Sequence, residues 1–159
     1  MAVLGLFRSP SINDPVCGPL ARAGGYWRGR MALGAHRDVP LLIAGGREGP
    51  EAAALAQARE LPARYIALQS AIGPALFEHY APYREAIDAG ELGEDAVRLA
   101  SSEDVWAHVT PVHIIVAPLD RYLTVEIGYA TEWDVEHTLG ARLIDWQLAE
   151  LNGSVLGVA

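Results

Sequence analysis

A chain of 159 residues with 20 acidic and 12 basic side chains and 51% apolar residues has the size and composition of one domain built on one core. At that length roughly two-thirds of the unfolded surface can be buried, so neither a disulfide nor a metal is needed to hold a fold. A formal charge of −8 argues against nucleic acid and anionic membrane as partners, since those surfaces are met by clustered Lys and Arg.

All twelve basic residues are Arg, which removes Schiff-base and P-loop lysine chemistry. The single cysteine, Cys17, cannot close an internal bridge. The opening apolar stretch is too short for a signal peptide, and no run reaches the roughly 20 apolar residues of a membrane span. The expectation is a single domain over residues 1–159 in a reducing, cytoplasmic setting.

Residues 3–7 read as a short strand. Ser9-Pro10-Ser11-Ile12-Asn13-Asp14-Pro15 follows as turn chemistry, where Pro fixes φ and Asn and Asp close side-chain turns. Residues 26–33 alternate, and after residues 34–40 the segment 41–46 pairs back, giving an N-terminal antiparallel meander. Pro50 and Glu51 suit the first turn of a helix that Ala-rich sequence carries to about residue 60, where Leu61-Pro62 breaks or kinks it. Leu68, Ile72, Leu76, Tyr80, Tyr83 and Ile87 recur every three or four positions and predict a second, amphipathic helix, bent near Gly73-Pro74 and fraying near Pro82. Ser101-Ser102-Glu103-Asp104 has capping-box spacing for a short third helix that stops before Pro111.

Residues 112–117 are almost continuously apolar, as in a central strand. Residues 122–130 alternate, with Leu123, Val125, Ile127 and Tyr129 on one face and Thr124, Glu126 and Gly128 on the other. Residues 141–151 make a last strand, closed by Asn152-Gly153 as a turn or tail. The order β-β-β-α-α-α-β-β-β, with strands in runs and helices in runs, predicts an α+β domain: a mostly antiparallel sheet with helices packed on one face.

Two segments carry a resemblance. Asp14-Pro15-Val16-Cys17-Gly18-Pro19-Leu20 with Tyr26-Trp27-Arg28-Gly29, and Glu132-Trp133-Asp134-Val135-Glu136-His137-Thr138-Leu139-Gly140, resemble the D-P-x-x-G-x-L, W-x-G and W-D-x-E-H-x-L-G segments of small bacterial domains of unknown function. Some proteins of that kind lie beside toxin genes and look like immunity or accessory factors, so the resemblance implies a similar fold and a binding role.

The residues themselves concentrate possible chemistry in the same C-terminal segment. Asp134, Glu136 and His137 are close enough in sequence to bind a divalent metal, or to supply a general base held by a carboxylate, with Glu136 and His137 as the acid–base candidates. Consecutive strand residues point to opposite faces, so the three converge only if the segment turns sharply. The structural alternative is a turn capped by Asp134, with Trp133 packed beneath, His137 bonded to backbone carbonyls and Gly140 in an unusual φ. His113, in the apolar strand, reads as a core histidine or as a fourth ligand if its strand lies beside the one that ends near Trp133. His79 reads as part of a solvated helix face. Cys17 has no basic neighbour nearer than Arg22 to activate its thiol. No G-x-S-x-G, H-E-x-x-H, C-x-x-C or Gly-rich phosphate loop is present, and no cofactor is implied.

Trp133 and Trp146 are the candidate partner contacts, because Trp anchors both cores and interfaces. Residues 51–159 hold 17 of the 20 acidic residues and 6 of the 12 Arg, a charge of −11, against +3 for the first 50 residues. Two functions follow as expectations. One is a non-enzymatic binding module whose acidic surface holds a protein partner or mediates self-association. The other is a small metal-assisted hydrolase or ligand-binding enzyme centred on Asp134, Glu136 and His137.

Overall fold

The computed structural model describes residues 8–154, so the strand expected at residues 3–7 lies outside the described residues. Its first four strands are hairpin-linked: β1 (Ser11–Asp14), β2 (Gly18–Ala23), β3 (Tyr26–Leu33) and β4 (His36–Ala44). A single α-helix, α1 (Ala52–Asp88), and a short 3-10 helix (Ser102–Ala107) lead to a second run: β5 (Val109–Leu119), β6 (Tyr122–Thr131), β7 (Thr138–Ile144) and β8 (Gln147–Gly153). The eight strands form one sheet in sequence order. Every neighbouring pair is antiparallel except β4 and β5, which run parallel across the helical crossover.

This corrects the architecture expected from sequence, three helices on one face of a mostly antiparallel sheet. The sheet is mixed and has eight strands, and one α-helix crosses it. The helix count fell because Pro62, Pro74 and Pro82 all sit inside α1. Each interior proline removes a backbone hydrogen bond and costs about 3 kcal/mol. The buried positions Ala54, Ala58, Leu61, Tyr65, Leu68, Ile72, Leu76 and Tyr80 nevertheless keep one phase through Pro62 and Pro74. Burial against the sheet along that stripe offsets the breaks.

The strand count rose at both ends. Pro15-Val16-Cys17 is the loop of a hairpin rather than a long turn: Gly18 takes φ +71° behind it, where a side chain would be strained. The Asp14 carboxylate accepts hydrogen bonds from the Val16 and Cys17 amides at 2.9 and 2.8 Å and receives Arg59 of α1, which ties the hairpin to the helix. At the other end the single strand expected over residues 141–151 is two strands joined at Asp145-Trp146, both with positive φ. Such a two-residue turn favours Asn-Gly or Asp-Gly, so Trp at its second position gave no turn signal. The capping box is present: Asp104 accepts from the Ser101 amide at 3.0 Å.

The core lies between α1 and one face of the sheet. Leu41, Ile43, Ile114, Val116, Val125, Ile127, Tyr129, Ala141 and Leu143 alternate along their strands and pack on the helix stripe. Tyr65 and Tyr129 share a hydrogen bond at 3.0 Å across that interface, and Trp106 meets both rings edge-on. Tyr80 donates to the Val97 carbonyl and accepts from the Leu99 amide, pinning the long connection back onto the helix.

Candidate functional site

The loop 132–137 leaves β6 and re-enters as β7. Thr131 Oγ1 accepts from the Asp134 amide at 3.2 Å and donates to the Asp134 carbonyl at 3.3 Å, which folds the segment sharply. Strand alternation no longer applies, and Asp134 meets His137: the imidazole Nδ1 lies 2.9 and 3.1 Å from the two carboxylate oxygens. The Tyr83 hydroxyl of α1 and the Glu136 amide lie near enough to the same carboxylate to favour its charged form. Burial works to raise the Asp134 pKa, but the His137 hydrogen bond, with the nearby Tyr83 hydroxyl, outweighs it and holds the carboxyl below its ordinary value. The hydrogen bond and charge of Asp134 in turn raise the His137 pKa. When His137 is neutral and donates through Nδ1, its Nε2 is the acceptor, on a side chain 67% exposed. That is an imidazole base oriented by a carboxylate.

The other candidates fall elsewhere. The Glu136 side chain is exposed and acts on His137 and Tyr83 through its charge. His113 faces the side of the sheet away from α1, because its strand neighbours Ile114 and Val116 face the helix core. It does not approach His137. Among the described residues no group of three His, Cys, Asp or Glu side chains is arranged to hold a metal ion.

Trp133 is buried, edge-on to Tyr80 at 5.7 Å, and its indole N–H donates to Nδ1 of His79 at 3.1 Å. His79 is thus no solvated surface residue: it carries its proton on Nε2, and burial lowers its pKa against the pull of Asp134. Trp146 is half-buried at the tip of its hairpin, with the Arg64 guanidinium 4.7 Å from its ring centroid. Cys17 is 1% exposed, and burial followed by the Asp14 charge pushes its thiol up to about 12, which leaves it inert.

Beside the Asp134–His137 pair, Glu78, His79, Pro82, Tyr83, Ala86 and Leu92 line an open groove of about 520 Å³. Tyr83 links the two, since it lines the groove and its hydroxyl favours the charged form of Asp134. Leu92 is 42% exposed at one end, and Val135, on the loop itself, is 86% exposed.

The family described as Domain of unknown function (DUF6985) matches residues 16–155. The chain belongs to the DUF6985 family. The matched span contains the W-x-G and W-D-x-E-H-x-L-G segments, while Asp14 and Pro15 lie just before it. No curated protein and no solved structure matches the chain. Among the described residues of this DUF6985 domain no helix is long and apolar enough to cross a membrane.

The sequence missed a second cluster of this DUF6985 domain, on the face of the sheet away from α1. Arg28, Leu42, Ile115, Glu126, Arg142 and Glu150 are direct partners from strand to strand and make one row across it. Glu126, 1% exposed, accepts from Arg142 at 3.1 Å and from Ser154 Oγ at 2.6 Å, and His113 Nε2 lies 3.1 Å from it. Arg142 also bonds Glu150, while its Nε finds no acceptor. Ser154 Oγ and Glu126 meet the same imidazole nitrogen, and the serine proton goes to the carboxylate. A serine nucleophile needs the opposite arrangement, with base and orienting carboxylate at different ring nitrogens. Gly128 and Gly140 pair with each other beneath this network, and neither has positive φ. A Cβ on Gly128 would sit 2.3 Å from the His113 ring, and one on Gly140 would sit 2.7 Å from the Glu126 carboxyl carbon. Their role is room for two polar side chains, which corrects the unusual φ expected at Gly140. Gly128 inside the alternating strand 122–130 was the available signal.

Proposed function

We propose that this DUF6985 chain is a non-enzymatic binding module that holds a basic, apolar-anchored segment of a protein partner in the groove beside Asp134 and His137. The observation that carries this reading is the groove itself: an open cleft of about 520 Å³ lined by Pro82, Tyr83, Ala86 and exposed Leu92, with Glu78 among the lining residues. It is wide enough for one large apolar anchor, and such anchors supply most of the energy of an interface. Glu78 and the exposed Glu136 meet Lys or Arg flanking that anchor, within the portion of the chain that bears −11. Charge of this kind speeds encounter and makes it salt-sensitive. An immunity-like or accessory role has this chemistry: a preformed acidic cleft that captures a basic partner.

The test is a titration with a basic peptide bearing one central Leu or Trp, followed by amide shifts of the protein and by the Trp133 indole resonance. Shifts should gather at His79, Tyr83, Leu92 and Trp133, weaken at high salt, and require about ten-fold more peptide in Ala86→Arg, which fills the groove with a positive side chain. An unchanged affinity in Ala86→Arg, or shifts confined to another surface, refutes the assignment.

A further inference from the structure

We propose a second docking site of opposite charge: a groove on the N-terminal half of the open sheet face that takes the acidic loop 91–95 of a second copy of this chain. The groove, about 500 Å³, is lined by Pro19, Pro40 and Leu42 together with Arg28 and Arg30. The two arginines alternate on β3 and stand roughly 7 Å apart on the same face. Arg28 is anchored through Nε to the Ala23 carbonyl and Arg30 through one terminal nitrogen to the Asp38 carbonyl. The rest of each exposed guanidinium is presented to an anion.

The occupant has matching chemistry and is already shaped. Gly90, with φ +75°, ends α1 with its amide bonded to the Ile87 carbonyl, and the Glu91 amide reaches the Ala86 carbonyl. A further bond from the Ala96 amide to the Gly93 carbonyl closes the loop. Leu92 is thereby held out from the surface at 42% exposure, flanked by exposed Glu91, Glu94 and Asp95. A preordered loop loses little entropy on docking. Leu92 fits the floor of Pro19, Pro40 and Leu42, and its acidic neighbours fit Arg28 and Arg30.

A chain cannot fill its own groove. The loop follows α1 on the helix side of the sheet, whereas Arg28 and Leu42 lie in the row on the opposite face. The contact is head-to-tail, and such contacts propagate into open chains unless the rotation closes a ring. One five-residue loop in one groove is a small contact beside the roughly 1,200 Å² of a stable interface, so the association is expected to be transient and to strengthen with concentration.

Sedimentation of the full chain up to about 1 mM, at low and at high salt, tests this. The mean mass should rise with concentration at low salt and return to monomer at high salt. R28E/R30E and E91R/E94R should each remain monomeric, and an equimolar mixture of the two should associate again, because every groove then meets a loop of opposite charge. None of these four positions lines the partner groove beside His137, but Leu92 belongs to both surfaces. The basic-peptide titration is therefore repeated on R28E/R30E, which leaves loop 91–95 intact: peptide binding retained there while self-association is lost keeps the two assignments distinguishable. Monomer at every concentration overturns the proposal, as does association that persists in R28E/R30E, a mixture that fails to associate, or a groove that binds an unrelated acidic peptide while the chain stays monomeric.

Discussion

Replacing Gly128 by Ala adds one methyl group at a point where the open face has no room. The new Cβ would sit 2.3 Å from Cε1 and Nε2 of His113 and 2.8 Å from Cδ2, well inside the 3.5–4.0 Å of a relaxed carbon contact. The ring is not a loose surface group: it is held near Glu126 Oε1 at 3.1 Å and Ser154 Oγ at 3.0 Å. Overpacking costs about 1–3 kcal/mol, and loosening a hydrogen bond to a buried carboxylate about 1.5–3 kcal/mol. Against this, Ala in a strand is better than Gly by about 0.5–1 kcal/mol. The expected net loss is about 2–5 kcal/mol. With His113→Ala already present the ring is gone, and Gly128→Ala should then be neutral or stabilising by up to about 1 kcal/mol. Urea unfolding of the four proteins at pH 7 reads this as a double-mutant cycle with a coupling of about 2–6 kcal/mol. A loss below about 0.5 kcal/mol for the single variant, or an equal loss in both backgrounds, would show that Gly128 is not there to admit the imidazole.

Three further predictions concern named contacts. The Arg59 hydrogen bond holds the Asp14 carboxyl down at about 2, opposed by burial and helped by the Cys17 and Val16 amides. Its stabilisation is therefore complete above the ordinary carboxyl value and is lost as pH falls toward 2. Asp14→Asn should cost about 1–2 kcal/mol at neutral pH, discounted for a half-exposed guanidinium, and should flatten the acid limb of stability between pH 4 and 2; an unchanged limb counts against the bond. The His137 imidazole should titrate above its ordinary value of 6.5 by NMR and fall back in Asp134→Asn, and a midpoint indifferent to that substitution would separate the two side chains. At the β7–β8 turn Trp146 holds φ +62°. Trp146→Gly relieves that strain and Trp146→Ala does not, so the glycine variant should be the more stable by about 1 kcal/mol; the reverse order would exclude backbone strain at this position.

The site was partly legible, and the limits have physical causes. Asp134 and His137 stood out because carboxylate and imidazole three positions apart are close in any tight turn, and Thr131 makes that turn. The groove beside them was not legible, since it needs Tyr83 and Leu92 brought from α1 and from the connection that follows it. Glu126 read only as a residue on the face opposite Val125 and Ile127, with no partner assigned. Its burial depends on Arg142 from β7 and on His113 from β5, a contact between residues far apart in sequence. His79 read as surface because its partner, the Trp133 indole, lies 54 residues away.

By itself the sequence determined the properties that depend on neighbours along the chain. These include the alternation of β6, the 3.6-residue stripe of α1, the capping box at Ser101 and the division of charge at residue 50. Only the tertiary structure decided whether the prolines end the helix, whether residues 141–151 run straight or fold back, and which polar residues are buried. Each of these is a competition between a local cost and a distant contact: three interior prolines against a stripe packed on the sheet, a strained tryptophan against the β7–β8 pairing, and a buried carboxylate against Arg142 and Ser154. Local pattern states the cost, and the fold supplies the contact that outweighs it.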